Sequence, residues 1–430
     1  MSLEYETVSL GEHLYIKGRI GWKGLKKDEY LDNGDYRIIN ATALEEDGIN
    51  WNDCGYITKD RFDESPEIIL KEKDILISKD GTIGKVGYVK KLDMPSTVAS
   101  GVFVVRNLNE DYIDTDFLYY YFKSPFFKWF IKSVTEGSVI PHLYQRDFSD
   151  MEFNLFDLEI QKKCSTLLNA IEEKINVNKK INKNLEQYLF YLFNEYFMEF
   201  DFNEFSNSNK TIPSSWKLGC FNDIIDSLGS GDWGKEKQTG NYIREVYCIR
   251  GADIPDVKQG NKGKMPIRFI LPKNFEKRKL GENSIVIEIS GGSPTQSTGR
   301  TVFITDNFLN RFDKDIICTN FCKVINPKNE YAIFLYLYLN YLYDKDVMFA
   351  YENGTTGIKN FDIKSFISNF KIVIPSIEDI IKFNNLVQNV FDVIMHNGLE
   401  IEQLQKLRDT LLPKLMSGEI DVSQINCDLK

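Results

Sequence analysis

The chain has 430 residues, 30 phenylalanines, 22 tyrosines, a formal net charge of −10 and a hydrophobic fraction of 42%. This length favours two or three domains with separate cores, and the aromatic content argues against intrinsic disorder. The acidity argues against a protein that coats nucleic acid over its whole surface, but it is compatible with a local basic site.

The cysteines and histidines show no metal-binding pattern. No CxxC pair occurs among the seven cysteines, and Cys318 and Cys322 are expected to be buried apolar positions. An odd cysteine count fits a reducing compartment, so we expect a cytoplasmic protein without a metal site. The longest apolar run, Tyr331 to Tyr343, is shorter than the roughly 20 residues of a membrane span and predicts a buried helix.

Residues 1–156 form the first predicted globule. Its turn at Asp80-Gly81 lies between two apolar runs, which is a strong hairpin signal. The predicted elements in order are a glycine loop (Gly18 to Leu25), a hairpin (Asp74 to Val89), a strand (Val98 to Arg106), one helix (Asp116 to Val134) and a second loop (Thr135 to Phe148).

Residues 157–202 predict one long amphipathic helix, and residues 376–418 predict a second. Shifting the first by 219 residues aligns the two apolar stripes and pairs Asn178 with Asn397. Because neither helix could bury its stripe alone, we expect the two to pack in a coiled-coil seam whose asparagines fix the register. The expected seam residues are Ile171, Ile175, Asn178, Leu185, Val390, Ile394, Asn397 and Leu404.

The order of the first globule recurs after a linker at residues 203–212. The second globule, residues 213–375, contains a glycine loop, a hairpin, a strand, a helix and a further loop, and a tail at 419–430 follows the second long helix. Such agreement in order predicts a duplicated domain. The predicted fold class is α+β, with two similar mixed α/β domains joined by two long antiparallel helices and an internal pseudo-twofold symmetry.

Catalytic motifs are not evident. Gly229, Gly231 and Gly234 match GxGxxG, but the residues after them do not predict the helix that a dinucleotide site needs. The sequence also has no GK[ST] phosphate loop, nucleophile elbow or zinc-protease motif, no methyltransferase motif of the Asn/Asp-Pro-Pro-Tyr kind, and no histidine close to another. We therefore expect no catalytic residues in this chain.

The remaining candidates are polar and aromatic side chains at glycine-rich loop tips, presented once in each globule. Such side chains hydrogen-bond base edges, and a short loop or a two-stranded ribbon can enter a major groove; the alternative is that these are ordinary turns. The candidates in the first globule are Arg19, Trp22, Lys23, Lys79, Asp80, Thr82, His142, Tyr144 and Gln145. Those in the second are Asp232, Trp233, Lys235, Thr295, Gln296, Arg300, Thr355, Thr356 and Lys359.

The stretch from Pro255 to Gly281 is locally basic. It carries eight lysines and arginines against Asp256 and Glu276. Such a stretch could line phosphates, and a solvated lysine-rich loop is an equally good interpretation.

Several segments together resemble the specificity subunit of type I restriction-modification enzymes. They are the hairpin DGTIGKVGYV, the glycine loops, the Gly-Thr-Thr-Gly loop and the closing LLPKLMSGEIDVS from Leu411 to Ser423. The resemblance implies two target recognition domains, each reading half of a split DNA site, and two helices that act as a ruler. A helix of about 38 residues is roughly 57 Å long, and a duplex turn is roughly 34 Å.

The same resemblance implies partners and cofactors. Two modification subunits would dock on the helices, supply S-adenosylmethionine and methylate an adenine in each half-site; restriction subunits would add translocation and cleavage with ATP and Mg²⁺. This chain would hold no cofactor and would not enter a membrane. The alternatives are a specificity subunit of a related methylation or phage-defence system, and a pseudo-symmetric scaffold that binds protein partners on both globules.

Overall fold

The computed structural model describes residues 4–45, 48–136, 142–149, 151–198, 212–293, 295–354 and 359–425, apart from the side chains of Trp22 and Ser149. It divides into two compact units. The first contains Met1–Glu173 and Gln405–Lys430, and the second contains Lys174–Leu404.

The first unit is built of short strands and helices around a small central sheet. Its elements are β1 (Glu6–Ser9), β2 (Leu14–Gly18), β3 (Arg37–Ile39), β4 (Leu44–Glu45), β5 (Gly48–Ile49), β6 (Gly55–Tyr56), α1 (Lys59–Asp63), β7 (Ile75–Ser78), β8 (Val86–Tyr88), β9 (Ser96–Val98), β10 (Val102–Asn107), α2 (Thr115–Lys123), α3 (Pro125–Thr135), α4 (Gln145–Ser149), β11 (Glu152–Leu155) and the first part of α5 (Leu158–Phe197).

The second unit begins within α5 and ends within the last helix. Its further elements are β12 (Lys217–Cys220), β13 (Ile225–Ser230), β14 (Arg244–Ile249), α6 (Ile254–Lys258), β15 (Ile267–Ile270), α7 (Pro272–Phe275), β16 (Ile285–Glu288), β17 (Ser290–Gly291), β18 (Thr301–Phe303), α8 (Asp306–Leu309), β19 (Ile316–Cys318), β20 (Cys322–Pro327), α9 (Ala332–Asp344), β21 (Glu352–Asn353), β22 (Lys359–Phe361), α10 (Ile363–Asn369), β23 (Lys371–Ile374) and α11 (Ile377–Met416).

The two units repeat one topology. The central sheet has the order β2-β10-β7-β8 in the first unit and β13-β20-β16-β18 in the second. Each unit adds a three-stranded sheet, β6-β3-β9 or β15-β14-β19, whose middle strand has one parallel partner, and an antiparallel pair, β1-β11 or β12-β23. The predicted duplication and the α+β fold class are therefore confirmed.

The middle strands of the central sheets are buried on both faces. In β7, Ile75 and Ile77 pack in the cluster that contains the aromatic residues of α2, whereas Leu76 packs in a separate cluster with Val98 and Val104. Successive side chains of a strand point to opposite faces, so an unbroken apolar run marks a strand with apolar layers on both sides.

The single helix expected from Asp116 to Val134 is wrong. The structure has two helices that meet at Ser124, which is extended, and α3 then begins with Pro125. A residue before proline is disfavoured in the helical region, and proline is well suited to the first turn of a helix. The buried helix expected between Tyr331 and Tyr343 is confirmed as α9. None of the helices in the described part of the chain is long and apolar enough to cross a membrane.

The long helices α5 and α11 pack together. In the first unit, Arg408 of α11 forms an ion pair with Glu172 of α5 at 2.9 Å. In the second unit, Asn178 donates a hydrogen bond to Glu400 at 2.7 Å, and Asn397 donates one to Asn182 at 2.8 Å. In these contacts the residue number increases along α5 while that of its partner decreases along α11. The packed segments are therefore antiparallel.

The expected seam residues lie on the packed side of these helices. Ile171, Ile175, Asn178, Ile394 and Asn397 are buried, while Leu185, Val390 and Leu404 are partly buried.

The apolar periodicity of the two helices also predicts Ile181, Tyr188 and Leu407 as buried stripe positions, and this is wrong. Ile181 and Tyr188 of α5 and Leu407 of α11 are exposed, and α5 instead buries Leu189 and Phe193. The buried stripe thus shifts by one residue along the second half of α5, where Leu189 and Phe193 pack in the large apolar cluster of the second unit.

Candidate nucleic-acid interface

Two loops that are distant in sequence meet at one end of the central sheet in the first unit. The turn between β7 and β8 is held at Lys79, whose amide donates to Gly101 O at 2.9 Å and whose carbonyl accepts from Leu143 N at 3.1 Å. Gly81, with a φ of +67°, lies at the open tip with no atom near its missing Cβ. The hairpin tip and the loop around Leu143 therefore form one continuous surface.

That surface carries four of the candidate side chains. His142 Nδ1 hydrogen-bonds the Asp80 carboxylate, although these residues are 62 positions apart. The ring of Tyr144 lies 4.6 Å from that of His142 and 5.0 Å from the Arg146 guanidinium, and Tyr144 is half exposed. Lys79 Nζ lies 5.0 Å from the Phe103 ring. We call Lys79, Asp80, His142 and Tyr144 the first loop cluster.

Arg19 lies outside this surface, which corrects the expectation that it contacts DNA. Its side chain is 2% exposed, and it donates from Nε to Val98 O at 3.2 Å and from Nη1 to Ser65 Oγ at 3.4 Å. Burial lowers the pKa of Arg19, and the charge of Arg61 lowers it further. Arg19 therefore anchors the glycine loop to the core.

The other candidates of the first unit are dispersed around the tip. Lys23 donates to the Glu64 carbonyl at 2.5 Å and is half-buried. Thr82 and Gln145 are exposed, and the Thr82 carbonyl accepts from Ser78 Oγ at 2.6 Å. The backbone of Trp22 belongs to a 3-10 turn at Gly21–Lys23, and its side chain lies outside the described residues.

In the second unit the hairpin region and the later loop are also brought together, but through different contacts. The strand β17, after the hairpin strand β16, pairs with β22, so that Ser290 faces Asn360 and Gly291 faces Lys359. Ser290 Oγ donates to Asn360 Oδ1 at 2.8 Å. The hairpin region and the later loop are therefore joined by a small sheet here, where the first unit uses a side-chain pair and one backbone hydrogen bond.

Glu352 of β21 fastens this small sheet to the hairpin. It accepts from Thr298 N at 2.6 Å and from Thr298 Oγ1 at 2.8 Å, and it forms an ion pair with Lys359 Nζ at 2.9 Å. Burial alone would raise the pKa of Glu352, but the hydrogen bonds from Thr298 and Lys359 lower that pKa below the usual glutamate value. The Lys359 ammonium is thus already paired within the protein.

Arg300 is also paired, which corrects its assignment as a free base-reading donor. Its guanidinium donates two hydrogen bonds to Glu288, at 2.8 and 2.7 Å, and the bond to Glu288 raises the pKa of Arg300. Glu288 ends β16 at the register position that Ser78 holds in β7. The same position therefore supports the hairpin through an ion pair in one unit and a hydroxyl in the other.

The glycine loop of the second unit is held from several sides. Asp232 accepts from Arg278, from Asn274 at 3.2 Å and from Gly234 N at 3.1 Å, so it is not free to meet a base. The Arg268 guanidinium lies 3.7 Å from the centre of the Trp233 ring.

The rest of this loop is more open. Lys235 pairs through its backbone with Phe269, and its exposed side chain lies 5.7 Å from the Tyr242 ring. The loop is not a nucleotide site, because Gly229 lies within β13 and a Cβ on Gly231 would fall on the Thr319 backbone.

The tip beyond β17 keeps two exposed candidates. Thr295 and Gln296 are exposed, and Ser293 shapes their turn by accepting from both backbone amides. Thr355 and Thr356 lie outside the described residues. Thr295, Gln296, Asn360 and Lys359 are here called the second loop cluster.

The basic stretch from Pro255 to Gly281 is neither wholly available to phosphates nor wholly a solvated lysine-rich loop. Lys258, Arg268, Arg278 and Lys279 form ion pairs with Glu186, Glu236, Asp232 and Asp315, respectively. Lys264, Lys273 and Lys277 remain exposed. Half of the local positive charge therefore stabilises the second unit.

Sequence reasoning missed the outer face of α3. Trp129 is 72% exposed, Phe126 is 40% exposed, and Lys128 and Lys132 are exposed beside them. Ile131 of the same helix lies against Gly84 of the hairpin. The spacing of Phe126 and Trp129 would have indicated this face.

A metal site or a reactive thiol would require specific features among the described residues. Among the described residues, no group of three or more histidine, cysteine or acidic side chains could hold a metal ion. Cys248 and Cys322 are buried, and burial raises the pKa of each thiol to about 12. A reactive cysteine needs the opposite shift, so these two thiols are buried core positions.

Comparison with known proteins agrees with this arrangement. The sequence model of the type I restriction modification DNA specificity domain matches residues 3–187 and again residues 213–397. The MjaIX specificity subunit of Methanocaldococcus jannaschii is 28% identical over 84% of this chain and 82% of its own length. The HindI specificity subunit of Haemophilus influenzae is 23% identical over 82% of this chain and 87% of its own.

A solved structure shows the same fold. The crystal structure of the type I restriction-modification system S subunit from M. genitalium aligns with a TM-score of 0.55 at 17% identity, covering 96% of each chain. The duplicated topology, the packed long helices and the two matches of the domain model coincide. The chain therefore belongs to the specificity-subunit family of type I restriction-modification systems, with two copies of the specificity domain.

Proposed function

We propose that this chain is a non-catalytic DNA-recognition subunit in which each unit reads one half of a split, asymmetric target. The observation that supports this most directly is that each unit presents a loop cluster at the corresponding place in its fold, and that the two clusters carry different side chains. The first presents Lys79, Asp80, His142 and Tyr144, and the second presents Thr295, Gln296, Lys359 and Asn360. Base readout depends on donor and acceptor pattern, so different clusters should read different bases.

The described charges are compatible with this function. The chain is acidic overall, but exposed lysines such as Lys264, Lys273 and Lys277 remain for phosphate contacts. Partner subunits would supply the rest of the positive surface. Each half-site would thus be selected by a few side chains on a scaffold held by internal ion pairs.

The helices α5 and α11 are the proposed docking site and spacer. Two modification subunits would bind them, carry S-adenosylmethionine and methylate an adenine in each half-site after extruding it from the duplex. Restriction subunits would join through them and use ATP and Mg²⁺ for translocation and cleavage. This chain would contribute no cofactor and no reacting group.

The test is a single-molecule methylation map of the host genome with and without this gene. Loss of one split motif bearing N6-methyladenine on both strands is the expected result and gives the target directly. Exchanging residues 213–375 for those of another specificity subunit should then change one half of that motif. A change in both halves contradicts independent reading.

A protein scaffold would behave differently in solution. Binding of DNA by the assembled complex should fall steeply as salt rises, because phosphate contacts release counterions. A complex that assembles with its partners but shows no salt-dependent DNA binding would support the scaffold and overturn the proposal. A related methylation or phage-defence system with other effectors would keep the DNA binding, and the presence or absence of methyltransferase, nuclease and ATPase genes beside this gene would separate it from the proposal.

A further inference from the structure

The second unit contains a loop that fits tightly between the long helices. Residues 258–263, here called the anchor loop, begin at the last residue of α6 and precede β15. Lys258 Nζ and Gln259 Nε2 both bind Glu186 of α5, at 2.7 and 2.6 Å. Gln259 O accepts from Asn182 Nδ2 at 2.9 Å. The loop is thus tied to α5 by three polar contacts.

The same loop is tied to α11. Lys262 N donates to Glu402 Oε1 at 2.7 Å, and Arg311 Nη2 approaches the same oxygen at 2.8 Å. Arg311 also donates from Nη1 to Gly260 O. The Arg311 side chain is 6% exposed and that of Glu402 is 27% exposed, so the arginine end of this bridge from the body of the fold to α11 is buried.

Two glycines set the distance of closest approach. Gly260 has a φ of +82°, and a Cβ there would fall on the Ile394 carbonyl of α11. A Cβ on Gly398 would fall on the Gly260 carbonyl. Backbone meets backbone at this point, so neither side can give way as a flexible side chain would. Alanine normally stabilises a helix relative to glycine, and Gly398 is therefore retained here for space.

The first unit is joined to the helices in another way. The segment after β3, which corresponds to the one after β14, forms β4 and β5, and its Leu44 and Ile49 lie against Gly87 of β8. The first fold contacts α5 from α2, where Tyr120 donates to Asn169 at 2.9 Å. The anchor loop is thus a feature in which the two copies differ.

We propose that the anchor loop is a positioning element that fixes the second recognition fold at one place along α5 and α11, and that it thereby restricts the half-site spacing accepted by the subunit. This rests on the proposed function. Adjacent base pairs are roughly 3.4 Å apart. The backbone contact between Gly260 and Gly398 leaves no room for one methyl group, so it allows the second fold less movement than the distance between base pairs. Binding to a site whose spacer is one base pair longer or shorter would therefore strain this contact.

The experiment compares Gly398→Ala and Gly260→Ala with Gly281→Ala, each in the full chain. Gly281 is exposed in the same unit, and a Cβ there meets only Ser284 Oγ at 3.9 Å. Amide hydrogen exchange without DNA should accelerate in residues 258–263 and 394–402 for the first two variants and stay unchanged for the third. An unchanged rate in Gly398→Ala overturns the anchoring.

The second readout is the methylation map of hosts that carry each variant with its partners. In Gly398→Ala, sites whose spacer is one base pair longer or shorter should gain methylation by about tenfold relative to wild type, while both half-site sequences stay the same. Accelerated exchange with unchanged spacing overturns the link to spacing.

A variant with a smaller expected effect on folding is needed in case Gly398→Ala does not fold. Glu402→Gln keeps the shape of the side chain and weakens its contact with Arg311, so it should show the same two effects in smaller size. Normal exchange and spacing in Glu402→Gln would then overturn the proposal. A wild-type map without any split motif overturns the proposed function and the spacing link together, whereas the exchange result still decides the anchoring by itself.

Discussion

Asn182 of α5 and Asn397 of α11 are joined side chain to side chain, with Asn397 Nδ2 donating to Asn182 Oδ1 at 2.8 Å. Asn182 is fully buried and uses its own Nδ2 to reach Gln259 O and Ile394 O. A polar pair inside an apolar seam costs stability but admits only one alignment of the helices. Here the pair also engages the second fold.

Replacing Asn397 with alanine should destabilise the second unit. The change leaves Asn182 Oδ1 buried without its donor, which costs about 1–3 kcal/mol. The measurement is the midpoint of thermal unfolding, followed by a probe in the second unit. Asn389→Ala, at an exposed position of the same helix, is the control and should leave the midpoint unchanged. Equal midpoints for both variants would contradict a structural role for the pair.

A buried charge in the seam should disrupt the helix pair. Ile175 and Ile394 are 1% and 3% exposed, so aspartate at both positions would put unpaired carboxylates among apolar side chains. We expect the double variant to lose assembly with the modification subunits, measured by size-exclusion chromatography of the mixed proteins. The control places aspartate at Val177 and Val393, which are 51% and 44% exposed on the same helices, and it should keep the thermal midpoint of the free chain that the buried double variant loses. Normal assembly of the buried double variant would contradict the role of the helix pair.

The helices and the duplication could be predicted from sequence because both depend on local periodicity. A 3.6-residue repeat and a repeated order of turns can be recognised without knowledge of contacts between distant residues. Asn178 and Asn397 could be placed on the apolar stripe in this way, but Asn397 meets Asn182 and Asn178 meets Glu400, and these partners were not predicted. The shift of the stripe toward Leu189 and Phe193 could not be read in this way, because it depends on how the fold between the helices packs.

Whether a loop side chain is buried, paired or exposed could not be predicted from the sequence, because it depends on partners that lie far away along the chain. Arg19 is buried by Val98 and Ser65, 79 and 46 residues away. Arg300 meets Glu288 only because β16 and β18 pair in one register, which tip length alone does not fix. A polar residue at a predicted turn is therefore a weak indicator of a free contact.

Glu352 predicts a pH dependence of the second loop cluster. Its pKa is lowered in the folded protein, so its contribution to stability is full above the unfolded-state value, roughly 4.3, and is lost as pH falls through the folded-state value. Hydrogen exchange in β21 and β22 should therefore be slower in wild type than in Glu352→Gln at pH 7. Because protonated glutamate resembles glutamine, the difference should vanish in acid. A difference that grows toward low pH would contradict this sign.

The loop tips predict a separation between stability and DNA binding. Arg19→Ala should lower the thermal midpoint, because it removes a buried side chain and leaves the Val98 carbonyl without its donor. Tyr144→Ala should leave the midpoint unchanged, since Tyr144 is 50% exposed, yet weaken DNA binding because the tip loses a hydroxyl that can hydrogen-bond the duplex. The measurement is an affinity titration of the assembled complex on its target at fixed salt, paired with a melting curve for each variant.

Gln296 gives the matching test in the second unit. It is exposed at the tip, with only its backbone engaged by Ser293, so Gln296→Ala should preserve the fold. Removing a side chain that bonds a base edge should relax discrimination at one base by about 1–3 kcal/mol, whereas loss of a neutral contact to a phosphate would weaken binding to all sequences about equally. The methylation map separates these results: degeneracy at one position of one half-site supports base reading. An unchanged motif at unchanged affinity would remove Gln296 from the interface and shift the base-reading role to its neighbours Thr295 and Asn360.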